Sequence, residues 1–253
     1  MKKKEKQLPL NYSDKKVCVL GLGFVGLTLA TTMADVGFQV IGIERRKDLL
    51  EKIASGKAGF FEPSLSVKLK KVIADRSLEV HEKIPESCDA KVYIITVGTP
   101  LDSKRKINLS SIKKVASDIA HQLKDGDLII LRSTVKLGTT RSIVEPILAK
   151  TGKRFQIAFC PERTIEGQAM AELRYLPQII GADDLATGVR ASLLFQFLTP
   201  TVIRVNDLET AEMIKLIGNT KRDVAFGFAN EVAHMCDVVG LSADEVISGG
   251  RFG

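Results

Sequence analysis

Short apolar runs rich in β-branched residues alternate along the chain with helix-length segments whose apolar positions recur every three to four residues. This alternation is the pattern of a parallel sheet covered on both faces, since strands buried on both sides carry no polar face. The runs KVCVLG, QVIGIE, KVYIITV, DLIILRS, FQIAFC, PQIIGA and TVIRVN predict strands. Segments 24–36, 45–54, 64–74, 109–122, 139–150 and 184–197 predict the helices between them. Six or seven parallel strands with crossovers predict a doubly wound α/β fold, with its ligand beyond the carboxyl ends of the strands.

The pattern changes after TVIRVN. Residues 207–239 contain no Pro and keep apolar residues at helical spacing throughout, which predicts one helix longer than the roughly 8–20 residues usual in globular domains. Asp207 is placed to cap its start, Gly240 to end it, and LSADEVI reads as the capped start of a further helix. The expected organisation is therefore a disordered tail over 1–14, a nucleotide-binding domain over 15–206, and the start of a helical domain over 207–253 that the chain does not complete.

KVCVL runs directly into GLGFVG, so Gly21, Gly23 and Gly26 form GxGxxG at a strand-to-helix turn, with Phe24 and Val25 opening the helix. The first Gly permits the turn, the second lets a pyrophosphate approach the backbone, and the third lets helix and strand pack closely. Free N–H groups at the helix start complete an anion site. The next strand, QVIGIE, ends in Glu44, at the distance expected of an acid that binds the ribose 2′-hydroxyl. Strand, glycines and acid together predict a Rossmann-like domain that binds NAD. Arg45 and Arg46 follow Glu44 immediately and keep NADP open as the alternative. TVGTP supplies a further candidate wall, in which Gly98 and Thr99 bring backbone and hydroxyl groups to the cofactor.

Charge and cysteines narrow the partners. The formal net charge is +7, but four Lys and one Glu among the first seven residues put +3 of it on the expected tail. No clustered basic face with interleaved aromatics remains, which argues against nucleic acid and leaves small anions. No apolar run of about 18 residues is present to span a bilayer. Cys18, Cys88, Cys160 and Cys236 fall into no metal-ligand spacing and read as free thiols of a reducing, cytoplasmic setting. Cys160, between a strand and Pro161, has no neighbouring His in sequence to activate it and reads as packing, although Glu162 and Glu166 follow closely.

On the substrate side, RSTVKLGTT places Ser133 and Thr134 at a strand end, where a Thr hydroxyl holds a water or substrate hydroxyl or else caps a helix. In AEMIKLIGN, Lys215 and Asn219 lie one turn apart on the long helix; a lone Lys there is usually solvated.

The order GLGFVG, VGTP, STV, CPERTIEG, AEMIKLIGN and FANEVAHMCDVVGL resembles the nucleotide-sugar 6-dehydrogenases, the UDP-glucose and UDP-N-acetylmannosamine dehydrogenase family, from about residue 15 to the last. The resemblance implies NAD-dependent oxidation of a sugar C6 alcohol to a uronic acid, through an aldehyde and a cysteine thioester. It implies that Thr134 positions a catalytic water, that Glu162 assists thioester hydrolysis and that Glu166 lies near the nicotinamide. It implies too that Lys215 and Asn219 hold the substrate and stabilise the oxyanion. CPER is similar to the form found in dehydrogenases of UDP-N-acetylhexosamines, so UDP-N-acetylmannosamine or a close relative is the expected substrate. Members of the family pair through the central domain, which implies a homodimer formed through the long helix. The family's nucleophilic cysteine lies in a GGxC segment downstream of that helix, and its UDP-binding domain further on. The chain is thus expected to be an N-terminal fragment that binds NAD without turning over a UDP-sugar. Two alternatives stand beside this reading: a stand-alone NAD-binding regulatory module, and an oxidoreductase of the hydroxyacid dehydrogenase kind.

Overall fold

The computed structural model describes residues 8, 9 and 11–250. Two compact units make up the chain, Met1–Glu212 and Met213–Gly253. Among the described residues eight strands form one sheet: β1 (Lys16–Leu20), β2 (Gln39–Ile43), β3 (Leu78–His81), β4 (Val92–Ile95), β5 (Asp127–Leu131), β6 (Phe155–Phe159), β7 (Gln178–Gly181) and β8 (Val202–Val205). They lie in the order β3-β2-β1-β4-β5-β6-β7-β8, the strand order of a Rossmann-like sheet extended at one side. Between them run α1 (Phe24–Asp35), α2 (Lys47–Ala54), α3 (Leu65–Ala74), α4 (Ser110–Gln122), a π-helical turn (Thr140–Val144) continuing into α5 (Glu145–Ala149), α6 (Ala169–Glu172) and α7 (Leu185–Phe195).

All seven expected strands form, and β3 is the addition. Its sequence, LEVH, buries only Leu78, because an edge strand needs no continuous apolar run. The expectation that every strand is parallel fails for the last two. Strands β1 to β6 are mutually parallel, whereas β7 meets β6 antiparallel through the single pair Phe159↔Gly181, and β8 follows β7 in parallel. The cause is the connection: residues 160–177 stay at the carboxyl edge instead of crossing a face, and the Gln178 side chain donates to Pro161 O at 3.2 Å as β7 begins. The chain therefore re-enters the sheet from the edge where β6 left it.

The expected disordered tail lies partly outside the described residues, and its described end is packed. Tyr12 makes edge contacts with Phe38 and Phe197 at 6.2 and 5.2 Å, and Asp14, 3% exposed, pairs with Arg190 at 2.8 Å. All four cysteines are buried and free.

The turn from β1 into α1 admits only glycine at two points. Gly21 has φ +99°, and a Cβ on Gly26 would stand 1.8 Å from Gly21 O and 2.6 Å from Thr96 Oγ1. That contact sets how closely α1 lies on the sheet, and with it where the helix N-terminus points.

Helix α8 (Leu208–Val239) starts in the first unit, where Leu208 and Ala211 are buried. Asp207 caps it as expected, Oδ1 accepting from Thr210 N at 2.6 Å. The second unit contains the rest of α8, Gly240 at φ +73°, and α9 (Ala243–Gly249), whose N-cap Ser242 accepts from Glu245 N at 3.4 Å. Among the described residues no helix is long and apolar enough to cross a membrane.

Candidate functional site

A cleft of about 550 Å³ opens over the carboxyl ends of β1, β2 and β4, within the usual volume range of small-molecule sites. Gly21, Gly23, Glu44 and Gly98 line it from the strand ends, and Lys114 and Asp118 from α4. Gly23 is the N-cap of α1, no side chain caps that end, and no acid occupies the first turn. A Cβ at Gly23 would meet nothing within 4 Å, and the same holds at Gly98. The start of α1 thus has neither a capping side chain nor an acid where an anion would bind, and Gly23 at that end lines the cleft. Phe24 is steadied by Phe60, with ring centroids 5.1 Å apart. The arrangement accommodates NAD: backbone donors for the phosphates, a carboxylate for the ribose, and a cleft of sufficient size.

Glu44 is 7% exposed, and its Oε1 accepts from Arg46 N at 3.0 Å and Arg46 Nε at 3.3 Å. The carboxylate is therefore held in place while Oε2 accepts no hydrogen bond among the described residues. Arg45 turns instead to Asp118 on α4. The two arginines that kept NADP open in the sequence each have an acidic partner.

Strand ends β4 and β5 are laced together. Ser133 Oγ donates to Val97 O at 2.7 Å, and Thr99 Oγ1 donates to Thr134 O at 2.6 Å. Thr99 thus spends its proton on the protein, while Gly98 stays exposed at the cleft. Thr134 is half-buried and caps no helix, since the next helical residue is Thr140.

The CPERTIEG segment leaves β6 and is fixed by three buried carboxylates. Glu162, 5% exposed, takes Arg132 Nε and Nη2 on Oε2 at 3.0 and 2.5 Å, and the N–H groups of Arg163 and Thr164 on Oε1 at 2.7 and 2.8 Å. Glu172 accepts from Ile165 N at 2.6 Å, and Glu62 from Gly167 N at 2.8 Å and Met170 N at 3.1 Å. Burial alone would raise the Glu162 carboxyl, but the Arg132 charge and the Thr164 and Arg163 N–H groups outweigh it and hold it below the usual carboxylate range. Arg132, 2% exposed, also donates to Cys160 O at 3.0 Å and Gln178 Oε1 at 2.7 Å and lies over the Phe195 ring. The cavity beside this pair is only about 20 Å³, room for about one water. Glu166, by contrast, is exposed on the turn before Gly167. Burial pushes the Cys160 thiol up to about 12, in keeping with a packing role.

The first unit therefore gathers Gly21, Gly23, Glu44, Arg45 and Gly98 around one cleft, with Thr134 and Glu162 at neighbouring strand ends. Lys215 and Asn219 lie one turn apart on α8 in the second unit, both half-buried, and Asn219 Oδ1 accepts from Arg222 at 3.4 Å. Arg132, Glu62, Glu172, Gln178 and Asp118 were not singled out in sequence. For Arg132 a partial signal existed: it directly follows the apolar run DLIIL, and a cation buried with such a strand needs a partner.

Strand order, glycine turn, open helix end and β2 carboxylate define a dinucleotide-binding α/β domain. Residues 15–199 match the NAD binding domain of the UDP-glucose/GDP-mannose dehydrogenase family, and residues 209–251 match its central domain. The chain belongs to that family, and its first unit carries the NAD-binding domain. It is 34% identical over 241 residues to a UDP-N-acetyl-D-mannosamine dehydrogenase of Methanococcus maripaludis, covering 94% of this chain and 55% of that protein. It is 32% identical to an NDP-N-acetyl-D-galactosaminuronic acid dehydrogenase of Ralstonia nicotianae, covering 92% and 57%. A solved UDP-D-ManNAc dehydrogenase from Pyrococcus horikoshii superposes with TM-score 0.88 at 33% identity, over 94% of this chain and 57% of that one. The chain thus spans little more than half the length of these relatives.

Proposed function

We propose that the chain is the NAD-binding part of an enzyme that oxidises the C6 alcohol of a UDP-sugar to the uronic acid, the sugar being UDP-N-acetylmannosamine or a related UDP-N-acetylhexosamine. The observation that carries this reading is the cleft itself: an uncapped α1 N-terminus facing open space at Gly23, beside the fixed carboxylate of Glu44. The match of residues 15–199 to the family's NAD binding domain supports reading this cleft as the place for NAD. Relatives named for UDP-N-acetyl-D-mannosamine support the sugar.

When bound, NAD supplies the hydride acceptor. The chain's own residues bind and orient. Phe24, Val25 and Gly26 offer backbone N–H groups to the pyrophosphate, Glu44 accepts from the ribose hydroxyls, and Gly98 leaves room for the cofactor against β4. Thr134, whose carbonyl is fixed by Thr99, presents its hydroxyl to a water. Glu162 is kept ionised by Arg132, which suits a carboxylate that orients water better than one that must remove its proton. Glu166 borders the nicotinamide end. Lys215 and Asn219 supply an ammonium and an amide donor for negative charge on the C6 oxygen. Residues 15–206 form the NAD-binding domain and 207–253 begin the helical central domain. In that part Ile217, Val224, Phe228 and Met235 are exposed apolar residues at heptad-like spacing, which supports a homodimer through α8. The reaction is placed in the cytoplasm, supplying uronic acids for polysaccharide assembly.

The test is to follow NADH with the full-length gene product and UDP-glucose, UDP-N-acetylglucosamine, UDP-N-acetylgalactosamine and UDP-N-acetylmannosamine. Oxidation of an N-acetylated sugar is expected. If none of the four is oxidised, the reading is wrong.

A further inference from the structure

We infer that Asp118 sets the cofactor preference of the cleft: it holds the Arg45 guanidinium away from the ribose 2′ position, so that the site takes NAD and rejects NADP. The inference rests on the dinucleotide reading given above and adds to it a residue on α4, remote in sequence from the β2 signature.

Three observations lead there. A ribose 2′-phosphate is ordinarily accepted by an arginine near the end of β2, and this chain has two, Arg45 and Arg46, directly after Glu44. Both have an acidic partner within the protein. Arg46 is engaged with Glu44 Oε1 through both its backbone N–H and Nε. Arg45 forms an ion pair with Asp118. Arg45, Lys114 and Asp118 line both the 550 Å³ cleft and a second cleft of about 560 Å³ beside it, so the ion pair stands where the two meet. The charges facing the adenosine end are thus Glu44 and Asp118 against Arg45, Arg46 and Lys114, and the two arginines are neutralised in place.

The effect acts in two ways. Asp118 occupies the arginine that a 2′-phosphate needs, and its own carboxylate repels that phosphate. Both side chains are part-exposed, 37% for Arg45 and 40% for Asp118, so solvent screening keeps the effect to severalfold.

The experiment measures NAD⁺ and NADP⁺ binding to the 253-residue chain by calorimetry. The unsubstituted chain is expected to favour NAD⁺. Asp118→Ala, at a part-exposed helix position that tolerates alanine, is expected to improve NADP⁺ relative to NAD⁺ by about fivefold. Adding Arg45→Ala to that variant is expected to take the gain away, because the freed arginine is the acceptor. An unchanged ratio in Asp118→Ala overturns the proposal, and so does a gain that persists without Arg45, which would leave Asp118 as a bare charge. If the unsubstituted chain binds neither nucleotide, it is the dinucleotide reading that fails. Binding of NAD⁺ with an unmoved ratio leaves that reading intact and refutes only the role of Asp118.

Discussion

Arg132 and Glu162 form an ion pair whose side chains are only 1% and 7% exposed, joining the end of β5 to the first residues after β6. Thr134 is two residues beyond one partner and the CPERTIEG turn begins at the other, so the pair fixes two candidate substrate-side groups relative to each other. Arg132→Met removes the charge and keeps much of the volume, leaving a buried carboxylate without its cation. A loss of about 3–5 kcal/mol is expected, read as a lower urea midpoint. Adding Glu162→Gln should recover part of it, because the stranded charge is then gone. Strictly additive losses would show that the two groups are not coupled.

The same pair predicts a direction with pH. Glu162 titrates lower in the folded chain than in the unfolded one, where carboxylates of its kind titrate near ~4.3. Its contribution is therefore complete above that value and is lost as pH falls through the folded pKa. Unfolding midpoints measured from pH 7 down to 3 should fall in the acid range, and less steeply in Arg132→Met. An equal slope in the two proteins would remove the pair from the account.

Gly23 and Gly26 separate binding from folding. Alanine at Gly26 would force its Cβ to within 1.8 Å of Gly21 O, a backbone atom that cannot yield alone. Gly26→Ala should cost about 1–3 kcal/mol of stability as well as NAD affinity. Gly23→Ala has φ −68° and free space around the new methyl, so stability should change by about 1 kcal/mol or less. NAD affinity should nevertheless fall at least about tenfold, because the methyl stands where the pyrophosphate approaches the backbone. Thermal melts with and without NAD distinguish the two. A Gly23→Ala chain that is stabilised by NAD as well as its parent would move the phosphates elsewhere.

Cys160 is expected to be chemically silent. Its thiol is fully buried and pushed up to about 12, so the thiolate needed for alkylation is nearly absent at pH 8. Folded protein should leave Cys160 unmodified by iodoacetamide when the sites are read by mass spectrometry, and modification should appear only with denaturant. Cys160→Ala should bind NAD like its parent. Rapid labelling of Cys160 in the folded chain would reopen it as a nucleophile.

What was legible in the sequence was what is local in it. GxGxxG and Glu44 carry their chemistry within one βαβ stretch, and the seven expected strands show as β-branched apolar runs between turns. β3 did not show, because LEVH at a sheet edge needs only one buried side chain. The reversal of β7 did not show either, since strand direction is set by the route of a connection and PQIIGA reads the same both ways. The polar residues that fix the site were hidden by sequence distance: Arg132 meets Glu162 across 30 positions, Arg45 meets Asp118 across 73, and Glu62 meets Gly167 across 105.

Glu212 illustrates such a contact at the root of α8. It is 1% exposed, and it accepts from Gly138 N at 2.5 Å and from Thr140 N and Oγ1 at 2.9 and 2.6 Å. One carboxylate thus satisfies three donors of the 138–140 turn, and with buried Leu208 and Ala211 it fastens the first turns of the long helix to the strand-end loop that follows Thr134. Glu212→Ala strands those donors in a buried place, where each unpaired group costs about 1–3 kcal/mol. A loss at the upper end of that range or beyond is expected. Thr140→Ala alone removes one donor and should cost less. In the double variant the stranded hydroxyl is no longer there, so the combined loss should fall short of the sum by about 1 kcal/mol. Arg141 offers the comparison on the surface: it pairs with Asp183 and Glu209 at 2.7 Å but is 45% exposed, so Arg141→Ala should cost about 1 kcal/mol or less. Urea unfolding of the four variants ranks them. If Arg141→Ala proves more damaging than Glu212→Ala, the helix is anchored by surface charge, and the Glu212 assignment is wrong.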